Sequence, residues 1–110
     1  MPRYTYVVLS NPRPGMEDAY NDWYSNQHVH DVADIPGVVS AQRFRLTDHG
    51  DTGGESKWQY MALYNLKTDN VSQVLEELGV RAGTDRMPMH EALDIDVWTK
   101  IYEEIPPSNG

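Results

Sequence analysis

The sequence predicts a single α+β domain with the element order βαββαβ. Three observations carry that reading. Aromatic and β-branched runs of strand length alternate with stretches of helical periodicity. Proline and glycine signals close those stretches. A chain of 110 residues has room for one core. The order is that of the split unit of ferredoxin-like folds, a four-stranded antiparallel sheet with two helices on one face. The domain is expected over residues 1–105, with 106–110 as a flexible C-terminal tail.

Each element has its own warrant. Residues 3–10, RYTYVVLS, are β-branched and aromatic and form the first strand. Two prolines in the following NPRPG end it, because each removes a backbone donor. Residues 16–33 form the first helix. Glu17 and Asp18 stand in its first turn, where the macrodipole favours anions, and Met16, Ala19, Tyr20, Trp23, Tyr24 and His28 recur at helical spacing. Pro36 biases Ile35 away from helix, and Gly37 permits a tight turn. Residues 38–47 form the second strand, with Gln42, Phe44 and Leu46 on one face and Ala41, Arg43 and Arg45 on the other. Residues 48–54 read as a hairpin loop, and residues 57–66 as a third strand that places Trp58, Tyr60, Ala62 and Tyr64 on one face. The second helix is expected to start at a cap on Thr68 or Asp69, to carry Val71, Val74, Leu75 and Leu78 as its stripe, and to stop at Gly79. Residues 80–93 read as a loop with at most one helical turn, and residues 94–104 as the last strand.

Composition narrows the function. A net charge of −8 argues against a nucleic-acid partner and is read as a solubility feature. No apolar run approaches the ~18–20 residues of a membrane span, so no membrane partner is expected. The first ten residues read as a strand and not as a signal peptide. The absence of cysteine removes disulfides, thiolate metal sites and cysteine nucleophiles together, which fits a cytoplasmic location. Three tryptophans and seven tyrosines suit a pocket or an interface, since tyrosine joins an apolar face to a polar tip. Helices on one side leave the other face of the sheet bare. Arg43, with Tyr60 or Met61, is expected on that bare face. A bare apolar face needs a partner, and two such sheets packed together close a barrel, so a homodimer is expected.

The run WYSNQHVHDVADIPG, from Trp23 to Gly37, concentrates the ionisable chemistry. His28 follows Tyr24 by four residues and Tyr20 by eight, so all three share a face that Trp23 flanks. An imidazole so placed is either a general acid or base near neutral pH or a packed, hydrogen-bonded core histidine. His30 points elsewhere, toward solvent, with Asp34 as an expected ion-pair partner. A His-x-His pair diverges on a helix, and Asp31 adds only one further ligand to His28, so no metal site is expected. Met87 and Met89, in the sequence Met-Pro-Met-His, would serve as adaptable walls of a binding site if the loop covers it. Arg43 could hold a carboxylate or an enolate oxygen, whereas Arg45 reads as a surface ion-pair residue. Asn11 is a turn former or a donor to a substrate carbonyl. Trp58, Tyr60 and Tyr64 are core, interface or pocket wall. Gly53-Gly54 precedes a strand, so no phosphate cradle is formed.

The segment NPRPGMEDAYNDWYSNQHVHDVADIPGVVSAQRFRL resembles the first half of the dimeric α/β-barrel proteins, in the EthD-like branch. The likeness lies in the asparagine-proline turn, the W-Y-x-x-x-H segment, the proline-glycine turn and the strand arginine. One departure is His30, which stands where such proteins often have proline and lets the helix run further. The resemblance implies a homodimer with a pocket for a small hydrophobic molecule. Its implied chemistry spans lactone isomerases, polyketide cyclases, dehydratases and oxygenases. The expected activity is therefore a cofactor-independent lyase, isomerase or cyclase acting on an aromatic or polyketide-like carbonyl compound. His28, Arg43 and Tyr24 would be its catalytic groups, and Asn11, Tyr20, Trp23, Trp58, Tyr60, Met87 and Met89 its binding groups. The alternatives are a non-catalytic ligand-binding or stress-response barrel and a cofactor-free or haem-handling monooxygenase. The second helix carries no histidine to ligate haem, which counts against the haem variant.

Overall fold

A computed structural model describes residues 1–50 and 52–108. Asp51 of the expected hairpin loop and the last two positions of the expected tail lie outside the described residues. The elements are β1 (Arg3–Ser10), α1 (Glu17–Trp23), a π-helical turn (Tyr24–His28), α2 (Val29–Ala33), β2 (Val38–Arg45), β3 (Tyr60–Lys67), α3 (Val71–Arg81) and β4 (Trp98–Glu103). The strands form one antiparallel sheet in the order β2-β3-β1-β4. The continuous run from α1 through α2, together with α3, covers one face. This is the ferredoxin-like βαββαβ arrangement.

The covered face takes alternate residues of each strand, as a two-residue period requires. Tyr4, Tyr6, Val8 and Ser10 of β1 point into the core with Tyr60, Ala62, Tyr64 and Leu66 of β3. Tyr20, Trp23, Tyr24, Val29 and Val32 meet them from the first helical run, and Val74 and Leu78 from α3. The opposite face carries Val7, Leu9, Met61, Leu63, Phe44 and Trp98, and among the described residues no helix lies on it.

This register corrects one expectation. Arg43 pairs with Ala62, and Arg45 with Tyr60. Ala62 is buried under the helices, so Arg43 and Tyr60 lie on the covered face, and only Met61 lies on the bare one. The alternation within β2 and β3 is the one the sequence predicts. What decided the side was the run of large buried side chains at even positions of β3, which the helices seek out.

Other boundaries moved for local reasons. The first helix contains a wide turn in place of uniform α geometry. The cap of α3 is Asn70, whose Oδ1 accepts from Gln73 N–H at 3.2 Å, while Thr68 Oγ1 accepts from Asn70 N–H at 3.0 Å. Gly79 does not stop α3. Arg81, itself buried, donates from Nε to Glu77 Oε2 at 3.2 Å, and the helix runs two residues past the glycine. β3 starts at Tyr60, and β4 at Trp98, because a local turn in which Asp94 Oδ1 accepts from Asp96 N–H precedes it. Asp34 pairs with Arg81 at 3.8 Å instead of with His30. Gly37 adopts φ +100°, and a Cβ there would stand 3.0 Å from Val74 Cγ2, so the turn into β2 needs glycine on both counts. No described helix is long and apolar enough to cross a membrane.

Candidate functional site

A cavity of about 200 Å³ lies between the covered face of the sheet and the helices. Tyr6, Val8 and Ser10 form its floor with Tyr64 and Thr99. Tyr24 and His28 come from the wide turn, Leu78 and Ala82 from the end of α3, and Met87, Met89 and Leu93 from the loop that follows. Val97 and Met89 are exposed by 42% and 44%, which places the mouth of the cavity between them.

The π-helical turn explains how the helix delivers two polar groups to one cavity. Such turns admit an extra residue and recur at functional sites. Tyr24 opens the turn and His28 closes it, and both line the cavity. Trp23, just before it, stacks on the His28 ring at 4.7 Å and 22°. Its Nε1–H donates to the Pro88 carbonyl at 3.0 Å, tying helix to loop. Met87 is fully buried, and its backbone is fixed by bonds to Gly83 and Thr84.

His28 is largely shielded from water. Burial pushes its pKa down from 6.5 to about 4, so the ring is neutral at neutral pH. Its Nδ1 is buried and has no hydrogen-bond partner among the described residues. The same holds for Asp31 Oδ2, three residues on. A buried polar atom left unmatched costs about 1–3 kcal/mol.

The facing wall is phenolic. Tyr64 donates its hydroxyl hydrogen to Tyr24 Oη at 3.3 Å. That leaves the Tyr24 hydrogen free to turn toward a ligand. Burial raises the Tyr24 pKa to about 12, against the opposing influence of Tyr64 and of Arg43. Burial raises Tyr64 as well, with Tyr24 adding to the shift. Tyr20 does not reach the cavity. It is fully buried, its hydroxyl 2.6 Å from Ser10 Oγ.

The remaining expected site residues lie elsewhere. Arg43 sits behind Tyr24, where Nη1 donates to Ser25 Oγ at 2.6 Å and Nη2 to Asn21 Oδ1 at 3.0 Å. Asn11 is occupied in the turn: Nδ2 donates to Lys57 O at 2.9 Å, and Oδ1 accepts from Gln59 N–H at 2.8 Å. Tyr60 packs 5.0 Å from Tyr20 and accepts from Asn21 Nδ2 at 3.1 Å. Trp58 lines a separate open groove of about 380 Å³ with Leu9, Phe44 and Met61, at the hairpin end of the bare face. Thus Tyr24, His28, Met87 and Met89 meet in one cavity, with Trp23 at its back. Arg43, Tyr20 and Tyr60 form a second layer, and Asn11 and Trp58 are remote. Among the described residues no cluster of three or more histidine, aspartate and glutamate side chains is placed to hold a metal. Sequence reasoning passed over Tyr6, Ser10 and Thr99. The two-residue alternation of β1 carried the signal for the first two, since they share a face with Tyr4 and Val8.

No protein-family model matches the chain, and no curated protein matches it. Solved structures are similar to the chain, two of them as follows. One is a candidate monooxygenase of Shewanella loihica PV-4, with a TM-score of 0.65 and 16% identity over 97% of this chain and 99% of that one. The other is an EthD (ethyl tert-butyl ether d) family protein of Bacillus halodurans C-125, with a TM-score of 0.52 and 21% identity over 96% of this chain and 100% of that one. The chain shares their ferredoxin-like fold, the fold that its resemblance to the EthD-like branch implies.

Proposed function

We propose that the protein binds a small aromatic or polyketide-like carbonyl compound in the 200 Å³ cavity and that His28 moves a proton on it. The observation that carries this reading is the meeting, in one cavity, of a neutral, largely shielded imidazole and a phenol whose hydrogen is free. The volume fits one or two fused rings, since a cavity of about 150 Å³ accommodates benzene. His28 takes the proton from the carbon next to the carbonyl. The C–H electron pair moves into an enolate, and the Tyr24 hydroxyl donates to its oxygen. The imidazolium then returns the proton to another carbon in an isomerisation, or to a departing hydroxyl in a dehydration. A pKa near 4 makes the empty site a weak base. The enolate that forms beside the imidazolium offsets this, because opposite charges in a shielded site stabilise each other.

A second reading follows from the name of the Shewanella neighbour. The same enolate is a carbon nucleophile that dioxygen oxidises, and oxygen uptake separates a monooxygenase from an isomerase. The bare sheet face, with Val7, Leu9, Met61 and Leu63, supports a homodimer closed face to face. The cysteine-free composition supports a cytoplasmic location.

The test is hydrogen–deuterium exchange by NMR, in D₂O, on a panel of aryl ketones and small polyketide mimics. Exchange α to the carbonyl by the wild type, lost in His28→Gln, is the expected outcome. Equal exchange by both proteins would show that His28 is not the base. Saturable binding with no exchange anywhere in the panel would make the protein a ligand carrier.

A further inference from the structure

We infer that Arg43 is a positioning residue for this cavity: it stays outside and acts by fixing Tyr24. The inference rests on the reading of Tyr24 as the group that meets the ligand oxygen. Arg43 rises from β2 toward the helix, and its two hydrogen bonds land on either side of Tyr24. Asn21 belongs to the last turn of α1, and Ser25 to the π-helical turn. The guanidinium carbon lies 4.5 Å from the centre of the Tyr24 ring, and 5.4 Å and 5.6 Å from those of Tyr20 and Tyr60. Among the described residues no carboxylate comes within ion-pair reach of it. The cation is therefore held by three tyrosine side chains, Tyr20 among them as a hydrogen-bond partner, and by two helix side chains.

Two consequences follow. Bonds to both flanks of Tyr24 hold the wide turn open at the point where an ordinary α-helix would close it. A cation on the face of a phenol ring also makes its hydroxyl a stronger donor, because it stabilises charge developing on the oxygen. Arginine suits both tasks, since its planar fork offers divergent N–H groups that lysine lacks.

A double-mutant cycle tests this, with 4-nitrophenol in its phenolate form as probe and nitrobenzene as the neutral control. Arg43→Gln is expected to weaken phenolate binding about tenfold, the scale of one hydrogen bond to a charged group, and to leave nitrobenzene within about twofold. Tyr24→Phe should weaken phenolate binding similarly, and adding Arg43→Gln to it should change nothing further. Arg43→Lys should restore part of the affinity. Should Arg43→Gln fail to fold by circular dichroism, the cycle runs with Arg43→Lys, whose smaller loss must also vanish in the Tyr24→Phe background. Losses that add across the cycle, in a protein that still prefers the phenolate, overturn the role of Arg43 and leave that of Tyr24 standing. A wild type with no preference for the phenolate removes the role of Tyr24, and that of Arg43 with it.

Discussion

The two faces of the sheet are built from one set of strands and solve opposite problems. Beneath the helices, β1 and β3 present Tyr6, Ser10 and Tyr64, whose hydroxyls find partners in Thr99, Tyr20 and Tyr24. On the bare face the same strands present Val7, Leu9, Met61 and Leu63. The covered face spends its polarity on a shielded cavity, where hydrogen bonds and charges act strongly. The bare face carries its side-chain hydrogen bonds, Thr5 to Asn65 and Asn65 to Ser40, beside an apolar surface suited to burial against another. The period of two thus separates the cavity lining from the bare face, and a one-residue slip of either strand would mix them.

The largest effect should come from the covered face. His28→Gln is expected to slow α-proton exchange by about 10²- to 10⁴-fold, the usual scale of a general base, as read by NMR. A smaller loss would move the base elsewhere in the cavity and leave His28 a packing residue. On the bare face, Val7→Glu should convert a dimer to a monomer in light scattering, because an unpaired charge buried at an interface costs roughly 3–5 kcal/mol. Exchange that disappears with the dimer would show that the cavity needs both copies and would break the separation of the two faces.

Next in size is a pH effect. Above about pH 6.5 His28 is neutral in both the folded and the unfolded chain and does not alter stability. As the pH falls, the unfolded chain takes up a proton that the buried ring refuses until about pH 4. Stability should drop by roughly 3 kcal/mol across that window, relative to His28→Gln, in denaturant titrations. Equal slopes for both proteins would mean that the ring is hydrated. The smallest effect is expected of Tyr64→Phe, which removes the donor to Tyr24 and should cost about 1 kcal/mol. Because it also frees the Tyr24 oxygen, phenolate affinity should fall by only a few-fold, measured with the same nitrophenol probe.

The sequence carried the element order, because each helix and strand announced itself by spacing and by its stop signals. It also carried the alternation along β2 and the shared face of Tyr24 and His28. It did not say which face of β2 the helices would cover, since Phe44 and Arg43 compete there: an apolar side chain argues inward, and an arginine outward. The structure sets Arg43, half-buried, on the covered face because three tyrosine rings and two helix side chains receive it, and no local pattern announces such a reception. The wide turn was equally hidden. Ser25, Asn26 and Gln27 are ordinary polar helix residues, and an extra residue in a helix leaves no compositional mark. Parity groups Trp58 with Tyr60, yet Trp58 precedes β3 and lines the groove at the hairpin end.

The π-helical turn has a genetic corollary. It holds one residue more than an α-helix needs to span the same length, and Asn26 and Gln27 within it face water. Loss of a single codon there should let the segment close into an unbroken helix, swinging the residues on either side by about 100° relative to each other. The strands and the rest of the core would keep their places. A one-codon insertion or deletion is thus a short mutational route by which this scaffold gains or forfeits its site. An alignment of this chain with a protein lacking the turn would need a gap of one between Trp23 and Val29.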